Sequence, residues 1–147
     1  MENNAAEQLA AINDTRAAAA DRLVTPWWYH PVLGLLLAGY VLGLSLGDTA
    51  VRSGTLAVLI VGSVLLVRVY RRITGVWVSG FNAGRAGRWA KGMGGLAALG
   101  LATAWGIAYF TDLRWPVWLI AALVLVGTIV LGRRFDDELR AQLRAGA

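Results

Sequence analysis

Reactive side chains are scarce in this sequence, and three places hold most of them. The first is Arg71–Lys91, RRITGVWVSGFNAGRAGRWAK, which has five basic residues, four glycines and no acid. Gly80, Gly84 and Gly87 run into a helix start beside Arg85, Arg88 and Lys91, so free backbone N–H groups and side-chain cations could face a phosphate together. The order is not a Walker A loop, which needs GK followed by Ser or Thr. Nor is it a dinucleotide fingerprint, because no strand precedes it. Arg85, Arg88 and Lys91, with Arg71 and Arg72, are the candidates for binding anionic headgroups or a phosphate-bearing ligand. Val76, Trp77, Val78 and Phe81 are expected to dip into the membrane interface beside them. The plainer reading is a lipid-facing loop that sets topology, since anionic headgroups attract each basic residue by roughly 1 kcal/mol near the surface.

The second place is His30, the sole histidine. A histidine can ligate haem or titrate near neutral pH. A paired bis-histidine site would need an oligomer, and the plainer reading is an amphipathic anchor at the interface. The third is the pair Asp48 and Asp112, with Arg52 and Arg114 close by in sequence. If the two turns that carry them approach each other, the cluster could handle a cation or a proton. The preferred reading is that each aspartate caps the helix after it or pairs locally with arginine.

These groups are positioned by a membrane architecture. Hydrophobic residues make up 57% of the 147 and charged ones only 16%, with a mean hydropathy of +0.56; a soluble domain carries about a quarter charged. Long segments carry no charge, which is the membrane signature, and one domain is expected. There is no cysteine, which excludes disulfides, thiol catalysis and cysteine–zinc sites. Glu2 and Glu7 stand where a signal peptide would be basic.

The fold class read from this is all-α: a polytopic membrane protein of four transmembrane helices in two hairpins, with helical extensions at both ends. Residues 1–25 read as an N-terminal amphipathic helix on Leu9, Ile12, Ala19 and Leu23, or as a frayed tail. The spans are placed at 27–47, 55–70, 93–110 and 115–132. Trp27, Trp28 and Tyr29 make an interfacial belt, and Pro31 and Pro116 suit first helical turns. GDTAVRSG (Gly47–Gly54) and TDLRW (Thr111–Trp115) read as short turns, and 71–91 as a basic glycine-rich loop. Residues 133–145 read as a tail continuing the fourth span into water, with Asp136 paired to Arg140 one turn on. Arg68 is expected to snorkel to the headgroups. All Lys and Arg except Arg52 and Arg114 fall at the termini, in Arg68 or in the central loop, so both termini and that loop are expected on the cytoplasmic side.

The two halves share a layout. Arg52 to Arg71 and Arg114 to Arg133 are equally spaced, and each even-numbered span ends in paired arginines. A parallel repeat of this kind would put spans one and three at the centre. Their small residues would then touch: Gly39, Gly43 and Gly47 on one, Gly100 and Ala104 on the other, beside a second stripe of Gly94, Ala98, Ala102 and Gly106. Two hairpins also share such features by chance.

Four short spans invite comparison with small multidrug resistance transporters. That family has a membrane-embedded glutamate in its first span, and Val32–Leu46 has none, so the assignment is rejected. TPWWYHP (Thr25–Pro31) and RRITGVWVSG (Arg71–Gly80) resemble segments of small four-helix membrane proteins of GC-rich actinobacteria. That resemblance covers most of the chain and implies no activity.

No Asp, Glu, Lys or His occupies the middle of a span, which argues against a proton-driven pump. No catalytic dyad, metal cluster or cofactor motif is visible. The leading expectation is therefore a non-enzymatic integral protein of the bacterial plasma membrane that acts by assembly, as an accessory, scaffold or regulatory subunit or a homo-oligomer. An alternative is a transporter or binder of a hydrophobic or lipid-like molecule in a pocket of Tyr40, Trp105 and Tyr109. An enzyme acting on a lipid phosphate ranks third. Expected partners are membrane lipids, anionic ones preferred, and a second copy or another membrane protein; nucleic acid, metal and cofactor are not expected.

Overall fold

Polar residues at the segment ends decide where the helices start and stop. The computed structural model describes residues 2–22, 25–75 and 80–145. Over these the chain is helical: α1 (Glu2–Arg22), α2 (Tyr29–Leu46), α3 (Thr49–Thr74), a 3-10 turn at Gly80–Asn82, α4 (Gly87–Phe110) and α5 (Trp115–Ala145). Helices α2 to α5 are each long and apolar enough to cross a membrane. By that measure this is a multi-pass membrane protein. Aromatic rings mark both ends of the bundle: Trp27 is exposed at one, and Tyr109, Phe110, Trp115 and Trp118 at the other, the levels where amphipathic rings settle in a bilayer.

Three boundaries differ from the sequence reading. The first turn is only Gly47 and Asp48, because Asp48 caps α3 by accepting from Val51 N at 2.8 Å and so draws Thr49–Gly54 into the helix. Ser53 Oγ and Thr55 Oγ1 donate to the carbonyls one turn back, which keeps these polar residues from competing for backbone donors. Helix α3 runs on through Arg71 and Arg72 and stops at Gly75, whose φ of 69° makes it a left-handed cap, a conformation that favours glycine. Helix α4 starts at Gly87 rather than 93, so Arg88 and Lys91 are helical.

Helix α2 packs against α5, α3 and α4, and α4 against α5. The core is Ala38 and Val41 of α2, Ala104 of α4, and Val117, Ala121 and Val124 of α5. Small residues let these backbones close up. A Cβ on Gly100 would stand 2.5 Å from Val124 Cγ2, so this glycine serves α5 rather than α2. Gly43 faces Thr55 of α3, and Gly47 packs on Val51. Gly39 has nothing within 4 Å of where a Cβ would stand. The glycine faces of spans one and three therefore do not seat on each other: Gly43 and Gly100 turn to different neighbours, while Ala104 alone joins the shared core. Ala102 is exposed, and Gly106 opens on empty space.

The 31 residues of α5 extend about 46 Å at 1.5 Å per residue, well beyond a hydrocarbon core of about 30 Å. The excess does not stand alone in water. Leu139, with Phe135 and Leu143 beside it, packs on Ala83 and Ala86 of the segment before α4, and α1 also lies against α5. Leu9 and Ile12 of α1 stay exposed; the Ala19 side chain, Leu23, Val76, Trp77, Val78 and the Phe81 side chain lie outside what the structure describes.

Candidate functional site

Where α2 begins, α3 ends and α5 leaves the apolar core, two polar residues far apart in sequence meet. His30 Nε2 donates to Asp136 Oδ2 at 2.7 Å. Both side chains are largely shielded, at 8% and 12% exposure. In so dry a place the bond is stronger than the same pair in water. The approach depends on Gly132, one turn before Asp136 on α5: any Cβ there would collide with the His30 ring. Thus α5 supplies both the hole and the acceptor.

The other ring nitrogen, Nδ1, is buried with no partner. With Nε2 donating, the neutral tautomer leaves Nδ1 as an acceptor facing Gly132. Neither nitrogen is open to an axial ligand, so haem ligation does not fit this arrangement. Among the described residues no cluster of three His, Asp or Glu could hold a metal.

On one side of the pair is a cavity of about 110 Å³ walled by Tyr29, Tyr70, Leu33, Met93, Phe135 and their neighbours. The Tyr29 and Tyr70 rings touch at 5.1 Å, and Gly80 and Ala90 close the side of the central loop. The wall is mainly apolar with phenol, imidazole and carboxylate groups at one edge. That suits a small apolar molecule with one polar handle. On the other side an open groove carries Trp27, Arg133, Asp137 and Arg140. Asp136 thus serves His30 and not Arg140, whose Nε is buried without a hydrogen-bond partner. A local helix pair is worth only about 0.2–0.5 kcal/mol, less than a shielded imidazole–carboxylate bond.

The central-loop residues are placed differently from the phosphate cradle expected from sequence. Arg71, Arg72, Arg85, Arg88 and Lys91 are all exposed. The first amides of α4 are occupied: Gly87, Arg88 and Trp89 N–H donate to Gly84, Arg85 and Ala86 carbonyls. In the orientation that satisfies both ends of its amide, Gln142 of α5 accepts from Arg85 N at 2.6 Å and donates to Ala83 O at 3.0 Å. Nor are the loop's cations all unneutralised, because Arg88 reaches Glu138 at 3.4 Å. The loop is latched to the tail of α5: Arg85 N is spent on Gln142 there, and the amides that follow are spent on the loop's own carbonyls.

The aromatic trio of the alternative pocket does not converge. Trp105 and Tyr109 stack at 5.2 Å on the outside of α4. Tyr40 lines two separate grooves, and neither contains them. Asp48 and Asp112, by contrast, do line one cavity, together with Arg52 and Arg114. Comparison with known proteins adds no relative: no family model, curated protein or solved structure matches the chain.

Proposed function

We propose that this chain is an integral protein of the bacterial plasma membrane that works by assembly rather than by catalysis, as a homo-oligomeric accessory, scaffold or regulatory subunit. Its four spans form two hairpins with both termini cytoplasmic. The observation that carries this reading is the groove between α2 and α3. It holds about 300 Å³ and is lined by Leu35, Gly39, Tyr40, Gly54 and Val58 among others. Gly39 and Gly54 have no neighbour within 4 Å of a Cβ position, so their smallness serves nothing inside the chain. In lipid, helices associate through small residues that let backbones approach. Helix α3 is free to contribute, since its packing is against α2 and Val58, Ile60, Val61 and Leu65 are exposed.

The basic residues left exposed at the loop end, Arg71, Arg72, Arg85 and Lys91, support the cytoplasmic orientation and a preference for anionic lipid. The test is native mass spectrometry from a lipid-retaining detergent, on the parent chain and on Gly39→Leu and Gly54→Leu. An oligomer that both variants reduce to monomer, without loss of thermal stability, supports assembly through the groove. A monomeric parent refutes it. A second reading, binding of a small apolar molecule, is favoured by the cavity beside His30; retained small-molecule mass in the same spectra, lost in Met93→Trp, would support it.

A further inference from the structure

The cavity beside His30 is lined by a carboxylate whose charge the chain leaves uncompensated. Asp136 stands in its wall with Tyr29, Leu33, Tyr70, Met93 and Phe135. One oxygen of Asp136 accepts from His30 Nε2. Among the described residues nothing donates to the other oxygen, and no Lys or Arg stands within 4 Å of the carboxylate. The histidine does not supply the missing charge. A proton on its Nδ1 would bury an N–H that has no acceptor, at about 1–3 kcal/mol. With the ring neutral, the pair carries a net negative charge where both side chains are nearly closed off from water. Arg133 and Arg140 line the groove on the far side of the pair. Arg133 is exposed, so water and salt screen it, and Arg140 stays beyond ion-pair reach of Asp136. A shielded carboxylate in that state gains from a cation that comes to it.

The rest of the wall decides which cation fits. A metal ion needs several oxygen ligands, and this wall is mainly apolar. Three of its residues, Tyr29, Tyr70 and Phe135, are aromatic. Aromatic rings attract an organic ammonium group through their faces and bury its apolar part against their bodies. The volume of about 110 Å³ is somewhat below the ~150 Å³ that holds benzene, so a body of about one ring enters. We propose that this cavity binds a small organic ammonium, a protonated or quaternary amine on an apolar body of that size. The proposal rests on the second reading above, that the cavity takes a small apolar molecule, and it names the polar handle. Asp136 repels an anionic handle, and a neutral one leaves its charge uncompensated.

Calorimetric titration of the full chain in an uncharged maltoside detergent at neutral pH, against blank micelles, tests this. The probes share one shape and differ in charge: benzylammonium, benzyl alcohol and benzoate. Benzylammonium should bind saturably and roughly tenfold more tightly than benzyl alcohol, the scale of one charge-assisted contact. Benzoate should not bind. Asp136→Asn should bring benzylammonium down to the level of benzyl alcohol, and Met93→Trp, which fills the cavity, should abolish the binding of both. The three probes compared on the parent chain decide the matter even if Asp136→Asn fails to fold. Benzyl alcohol binding as tightly as benzylammonium, and lost in Met93→Trp, overturns the ammonium and leaves the apolar cavity standing. A preference for benzylammonium that survives Asp136→Asn does the same. No saturable binding of any probe, or binding unchanged in Met93→Trp, overturns both.

Discussion

Gly132→Ala should be among the most damaging small substitutions in this chain, although alanine is the better helix former. A Cβ at 132 lands on the His30 ring, and the ring is held by its bond to Asp136. Two costs follow. Displacing the imidazole breaks a shielded hydrogen bond and strands its partner, about 1–3 kcal/mol. If the ring stays, the backbones must part instead, and overpacking of this kind also costs about 1–3 kcal/mol. Against either stands the helix-propensity gain of about 1 kcal/mol for Gly→Ala. The net is a destabilisation of up to about 2 kcal/mol if one cost is incurred, and more if both are. Gly92 and Gly95 on α4 supply the control, because neither has anything near a Cβ position; Gly92→Ala should stabilise by about 0.5–1 kcal/mol. Reversible unfolding in mixed micelles measures both, and the same substitution in a His30→Ala background isolates the cause. There Gly132→Ala should be neutral or stabilising. If it is equally harmful with and without His30, or as benign as Gly92→Ala in the parent, the collision with the imidazole is not what fixes Gly132.

Asp136→Leu should lower stability by about 1–3 kcal/mol, because the buried His30 loses its acceptor; Asp136→Asn should cost less, and unfolding curves for the pair rank them. Gly43→Leu should destabilise the contact of α2 with α3, where Thr55 fills the space, by about 1–3 kcal/mol, whereas Gly39→Leu leaves monomer stability unchanged. Ala86→Glu puts a charge against Leu139, Phe135 and Leu143; hydrogen exchange should then rise across residues 80–90 and the end of α5 while the α2 core stays protected. Replacing Arg85, Arg88 and Lys91 with Gln should reduce retention of anionic lipid without altering insertion, read by native mass spectrometry and by reporter fusions at both ends.

The four spans are legible in the sequence because a charge-free apolar stretch of bilayer length rarely forms anything but a membrane helix. The first turn is shorter than its sequence suggests, since TAVRSG looks polar. It is helical because one aspartate caps it and hydroxyls fold back on their own carbonyls. The capping role of Asp48 is legible, since the cap signal is local. The His30–Asp136 bond is not. It joins residues 106 positions apart, and the nearest-neighbour rule assigns Asp136 to Arg140. Gly132 and Asp136, one turn apart on α5, are the only sequence trace of it, and a glycine followed by an acid at that spacing carries no such meaning by itself. The occupied amides of the central loop are hidden for a related reason. A phosphate cradle needs free amides, and Gln142, more than fifty residues away, occupies one of them.

The central claim is that copies of this chain meet through the groove of α2 and α3. The sequence has no cysteine, so a single introduced thiol reports on its own contacts without background. Gly54→Cys in native membranes, treated with a mild oxidant, should give a disulfide-linked dimer on non-reducing gels. Leu99→Cys, on the exposed outer face of α4, should remain monomeric under the same treatment. A monomer at both positions, or equal dimer at both, would contradict assembly through that groove.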